Sequence, residues 1–204
     1  MTAEEFATLL TFAVAMSFTP GPNTMLATAL AANFGMRRTL RFIVAVPTGW
    51  TLMMLGCGLG LGALILAVPG LRLAIKAVGV LYLVWLAWKL AGSRSLGQAA
   101  TPTAAVGFWQ GVALQFVNVK AWMLALAIAA GWVTSSAGHA AANPGQRLAI
   151  VCALMAVLAL SSNAVYAWAG ALLRRWLSQG RRLLAFNRVM AGLLVATALW
   201  MAFA

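Results

Sequence analysis

Lys120 is the one charge deep inside an apolar stretch of this 204-residue chain. It lies midway between Val106 and Thr134, in the run Gln115-Phe116-Val117-Asn118-Val119-Lys120-Ala121-Trp122. At about 1.5 Å per helical residue its Cα is about 20 Å from either end, too far for the side chain to snorkel out. An unpaired lysine at a bilayer centre costs at least about 2.5–3.5 kcal/mol, so its presence points to a ligand or proton path. Bonding to freed carbonyls of a broken helix is the structural alternative. Gln115, Asn118 and Trp122, at i, i+3 and i+7, are expected to share a helical face and form a polar stripe, although amides also bond helix to helix.

A second chemical feature is Pro20-Gly21-Pro22-Asn23, near the middle of the first apolar segment. Two prolines remove two backbone donors and the glycine adds freedom, so a helix is expected to break there into two half-helices. Broken backbone survives in a membrane where it is buried in protein or lines a cavity. Ser161, Ser162, Asn163 and Tyr166 are further polar residues at depth, read first as interhelical hydrogen-bonding groups.

These residues need a scaffold, and composition names it. The chain is 64% hydrophobic and 8% charged, with mean hydropathy +0.94, the profile of a polytopic membrane protein. Six spans are expected, roughly Phe6 to Phe34, Phe42 to Val68, Leu73 to Leu90, Val106 to Thr134, Leu148 to Leu173 and Val189 to Phe203. The reading is an all-α integral membrane fold in a single domain. Pro22 precedes Lys120 by 98 positions, close to half the chain. Each half, about 1–98 and 104–204, then holds three helices and one midplane feature. Three is odd, so the halves must be inverted relative to each other, the plan of many secondary transporters.

The net charge of +12 does not indicate nucleic acid, because the basic residues flank apolar segments instead of forming a polar and aromatic face. Arg37, Arg38, Arg41, Lys89, Arg94, Arg174, Arg175, Arg181, Arg182 and Arg188 fall on one side, and Arg72, Lys76 and Arg147 on the other. The positive-inside rule then puts both termini outside the cytoplasm. Trp88 and Trp109 at one set of ends, with Trp132 and Trp200 at the other, read as interfacial anchors. The stretch from Arg174 through Arg182 to Leu183 is expected at the inner leaflet, against anionic lipid. Glu4 and Glu5 occupy the place where a signal peptide carries basic residues, so residue 1 is read as mature sequence.

No cofactor or metal is expected. The chain has no aspartate, its only glutamates are Glu4 and Glu5, and His139 falls in an external loop where it is expected to be solvated. Cys57 and Cys152 lie in different apolar segments and read as small hydrophobic packing. The glycines of Gly56-Cys57-Gly58-Leu59-Gly60-Leu61-Gly62 lie inside a span without a following Lys-Ser/Thr, so close helix packing is expected and not a phosphate loop.

At Phe18-Thr19-Pro20-Gly21-Pro22-Asn23, Gly35-Met36-Arg37-Arg38, the run from Lys76 to Leu86, Asn118-Val119-Lys120 and Asn187-Arg188-Val189-Met190-Ala191-Gly192, the chain resembles the LysE/RhtB family of amino-acid exporters. The resemblance covers nearly the whole length. It implies gradient-driven export of amino acids or derivatives, without ATP, from the cytoplasm across a bacterial inner membrane. The chain departs from it twice. Val119 replaces the proline usual between asparagine and lysine, so a break there is not enforced by chemistry, and Gly49-Trp50 stands where many members have glycine followed by aspartate. On this reading Lys120 holds a substrate carboxylate, helped by the half-helix N-terminal amides at Asn23 and Thr24, while Asn118, Asn23 and Gln115 supply polar partners. Pro20, Gly21 and Pro22 shape the break. With no acid in the interior besides Glu4 and Glu5, both expected in solvent at the outer edge, neutral substrates are expected.

Two other classes stay open at this point: an intramembrane enzyme, with Lys120 as base and Ser162 as nucleophile, and a lipid- or partner-binding scaffold. Whether the chain forms a homo-oligomer is also open. The topology is testable with single cysteines at positions 38, 95, 140 and 179 in a cysteine-free background. Impermeant thiol reagents should label position 140 from outside, and labelling of 38 or 179 instead would invert the assignment.

Overall fold

The apolar segments fold as helices whose interruptions fall at residues with a chemical reason to end them. The computed structural model describes residues 1–92, 106–136, 139–179 and 181–203. Arg94 and the junction between positions 98 and 104 lie outside the described residues. Helix α1 (Ala3–Phe18) starts with a capping box, in which the Thr2 hydroxyl accepts from the Glu5 amide and the Glu5 carboxylate from the Thr2 amide. Helix α2 (Pro22–Phe34) follows after Thr19, Pro20 and Gly21. Gly35, at φ 83°, joins it to α3 (Met36–Gly58).

The second expected span is not one helix. Gly60, at φ 97°, takes a left-handed conformation that only glycine adopts cheaply, and it divides the segment into α3 and a short α4 (Leu61–Ala67). Glycines expected only to pack helices therefore also stop one. Helix α5 (Pro69–Ala91) opens with proline at its first position. The fourth segment is α6 (Phe108–Val117) and α7 (Val119–Ile128), the latter ending in a π-helical turn, Ala129–Val133. Two short antiparallel strands, β1 (Ser135–Ser136) and β2 (His139–Ala140), precede α8 (Pro144–Leu177) and α9 (Arg182–Phe203). His139 is exposed in β2.

Among the described residues four helices, α3, α5, α8 and α9, are long and apolar enough to cross a membrane, and α6 with α7 makes a fifth if the pair, bent by 67°, is one span. Helices α1 and α2, at 16 and 13 residues, are each shorter than the about 20 that a span requires. The outside of the bundle fits this reading, since Leu73, Leu81, Leu172, Leu199 and Phe203 all face outward. Trp88, Trp109 and Trp200 are exposed as well, whereas Trp132 stacks on Phe12 with centroids 5.4 Å apart. The basic stretch near Arg174 spans the end of α8 and the start of α9. Arg174 and Arg175 belong to the last turn of α8, and Leu177 and Leu183 are buried beside Ala32.

Helix α2 is buried on nearly every face, packed against α8 and α3, while α5 packs on α9 and α6 on α3. Small residues permit the approach: a Cβ at Gly170 of α8 would collide with the Thr28 carbonyl of α2. Besides the small cluster at Ala32, the apolar interior forms two large clusters. One contains Leu26 to Phe34, Phe42 to Val46 and Ala167; the other contains Leu9, Ala13, Trp50 to Met54, Ala121 to Ile128 and Val151 to Met155. The divide crosses α3 and α8 near their middles, and the polar residues of both breaks lie along it.

Glu5, expected in solvent, instead pairs with Arg147 at the start of α8, Nη2 to Oε2 3.0 Å, with side-chain exposures of 7% for Arg147 and 20% for Glu5. Arg147 Nη1 also donates to the Trp132 carbonyl. Removing one partner of a buried pair leaves the other charge stranded, and that loss exceeds the net worth of the pair. Glu5→Gln should therefore lower the melting temperature in detergent more than the double variant Glu5→Gln, Arg147→Gln does. Equal losses in the two variants would show the pair to be solvated.

Candidate functional site

Each break is a local consequence of sequence, and each leaves carbonyls that need donors. In α1 the Phe18 carbonyl would bond the amide four residues on, but that residue is Pro22. Tyr166 of α8 supplies the donor instead, its phenol reaching the Phe18 oxygen at 2.8 Å. The next carbonyl, Thr19, accepts from Lys120 Nζ at 2.9 Å. Gly21 is extended and its amide donates to the Thr24 hydroxyl at 3.0 Å, which caps the start of α2.

The second break needs no proline. Asn118 takes an extended conformation at φ −87° and ψ 101°, and its side-chain oxygen accepts from the Lys120 amide at 3.1 Å. An asparagine cap starts α7 with Val119, not a proline, at its first position. The Phe116 carbonyl accepts from the Trp122 indole at 2.8 Å. The polar stripe expected from Gln115, Asn118 and Trp122 does not exist as one face, because the chain bends between the first and the last of them.

The two breaks meet. Asn23 and Gln115 form a reciprocal amide pair, 2.8 and 3.1 Å, and the Gln115 amide group also donates to the Gly111 carbonyl, which fixes its orientation. The Lys120 side chain lies across Gly21: a Cβ there would stand 3.2 Å from both Cδ and Nζ. Lys120, Asn118, Asn23, Thr24, Gly21 and Pro22 all line one cavity, with about 70 Å³ of free volume, room for a few waters. Gln115, fully buried, and Pro20 are outside that lining, although Gln115 holds Asn23 at its edge. On its other side Lys120 borders an apolar groove with Pro20, Met25, Met123, Leu193 and Trp200.

The expectation for the polar residues of α8 changes. Ser161, Ser162 and Asn163 bond carbonyls of their own helix, at Val157 and Ala159, and of this group only Tyr166 reaches another helix. The pair Asn33 and Asn187, fully buried and reciprocally bonded at 2.8 and 3.1 Å, ties α2 to α9. Asn33 gave no signal in the sequence beyond being an asparagine in an apolar segment. Trp50 was legible only as a departure from a family pattern, and it also lines the cavity.

A comparison with protein families matches LysE type translocators over residues 14–204. The chain belongs to the LysE type translocator family. It is 32% identical over 197 residues to a cysteine/O-acetylserine efflux protein of Klebsiella pneumoniae, covering 96% of this chain and 95% of that one. Proteins of the same description in Salmonella typhimurium and Escherichia coli are also 32% identical, covering 96% of each chain. No solved structure matches. This LysE type translocator is thus a multi-pass membrane transporter and not an enzyme, which removes the base and nucleophile reading of Lys120 and Ser162.

Removing the phenol of Tyr166 would leave the Phe18 carbonyl without its donor. Tyr166→Phe should destabilise the translocator by about 1–3 kcal/mol, seen as a lower melting temperature in detergent. An unchanged melting point would mean that water replaces the phenol.

Proposed function

We propose that this translocator exports small neutral amino acids or their derivatives from the cytoplasm, and that Lys120 receives the substrate carboxylate. The observation that carries the reading is an ammonium between two helix breaks whose bonded partner is a backbone carbonyl and not an acid. An ammonium has three donors, so two remain for a ligand. The first-turn amides of α2, at Asn23 and Thr24, add the positive end of a helix dipole beside the same cavity. Asn118 and Gln115 hold that geometry, and Pro20, Gly21 and Pro22 create it. A cationic substrate side chain would meet Lys120 with no carboxylate to offset it, since the chain's two acids are Glu4 and Glu5 and Glu5 is paired with Arg147. The names of the relatives, cysteine and O-acetylserine efflux proteins, agree with small zwitterions.

The remaining parts of the reading are a single domain of two inverted halves, about 1–98 and 104–204, with α1 and α2 as one broken span among six. We place it in a bacterial inner membrane with both termini outside, on the basis of the loop charges. Arg174, Arg175 and Arg182, at facing helix ends, suit anionic lipid of the inner leaflet.

Export is tested with purified protein in liposomes loaded with leucine, threonine, cysteine or lysine. Lys120→Met should insert normally and lose export, and Lys120→Arg should keep part of it. Wild-type rates in the methionine variant would end the carboxylate role, and preferred lysine export would end the neutral-substrate claim.

A further inference from the structure

Two residues that line this cavity each carry a buried polar atom with no hydrogen-bond partner among the described residues: Trp50 Nε1 on α3 and Asn163 Oδ1 on α8. Both side chains are nine-tenths or more buried, Trp50 at 5% and Asn163 at 2% exposure. The identity of the free Asn163 atom is fixed, because its other terminal atom bonds the Ala159 carbonyl at 2.8 Å and must be the nitrogen. The indole is a donor only, and the amide oxygen an acceptor only. Buried groups of this kind are ordinarily satisfied, and unsatisfied ones call for a missing water or ligand.

The two atoms are of opposite sense, and each supplies something that Lys120 cannot. Lys120 and the first-turn amides of α2 already provide the donors a carboxylate needs. An acceptor for the substrate's α-ammonium is still required, and Asn163 Oδ1 has that chemistry. The Trp50 donor is then surplus to the zwitterion and suits an acceptor elsewhere on the substrate. We propose that Asn163 Oδ1 receives the α-ammonium and that Trp50 Nε1 donates to an oxygen on the substrate side chain, so the translocator selects small amino acids with a side-chain hydroxyl, ether or ester oxygen. This rests on the carboxylate reading of Lys120. An alkyl side chain of the same size would displace water and leave the Trp50 N–H unpaired, which is how a site built for a hydrogen bond rejects the analogue that lacks it.

O-Methylserine and norvaline make the probe pair, since they differ by an ether oxygen in place of a methylene. In liposomes the wild type should export O-methylserine about tenfold better in kcat/KM. Trp50→Phe should bring the two within about twofold, mainly by slowing O-methylserine, and Trp50→His, which retains a ring N–H, should keep part of the preference. Asn163→Leu should weaken both substrates alike and leave their ratio. As a measurement that needs no variant, O-methylserine should raise the wild-type melting temperature more than norvaline does. A wild type without preference in either measurement, or a tenfold ratio that survives Trp50→Phe, overturns the assignment while leaving amino-acid export standing. Absence of any amino-acid efflux overturns both.

Discussion

A carbonyl freed inside a membrane has no water to bond, and this constraint organises the centre of the protein. The chain breaks helical structure twice, after Phe18 and at Asn118, and the exposed oxygens are met by side chains. Tyr166 takes the Phe18 oxygen, Lys120 the Thr19 oxygen and Trp122 the Phe116 oxygen. The donors for the first break come from α8 and α7, far along the chain. The breaks are thus stable only in the assembled bundle, and each helps to hold the other in place.

Lys120 is central because its ammonium, from α7, closes the first break at the Thr19 carbonyl. Its bond is to a neutral carbonyl, weaker than a bond to a carboxylate would be. The same lysine separates the polar cavity from the apolar groove along α9, with Gly21 as the surface beneath it. A site with about 70 Å³ of free volume admits a few waters.

Paired amides give these helices fixed positions without charge. Asn23 with Gln115 joins α2 to α6, and Asn33 with Asn187 joins α2 to α9. In each pair both residues donate and accept, so neither is left wanting in an apolar setting. Helix α2 carries a member of both pairs and is buried almost all round, which makes it the axis about which the other helices are arranged.

The sequence by itself determined the membrane class, the family and the location of both special regions. Composition settles the first, and Pro20-Gly21-Pro22 falls between the end of α1 and the first turn of α2, where proline lacks a donor. Lys120 was legible for a similar reason: a charge in an apolar run is conspicuous without any partner known. The division at Gly60 and the cap at Asn118 were not read, since glycine and asparagine are compatible with several backbone conformations and tertiary packing selects among them. Partnership was beyond the sequence altogether. That Glu5 pairs with Arg147, that Tyr166 crosses to α1 while Asn163 does not, and that Trp50 and Asn163 face one cavity are facts of distance between residues remote in the chain. Only the packed bundle decides which polar atoms are satisfied and which are not.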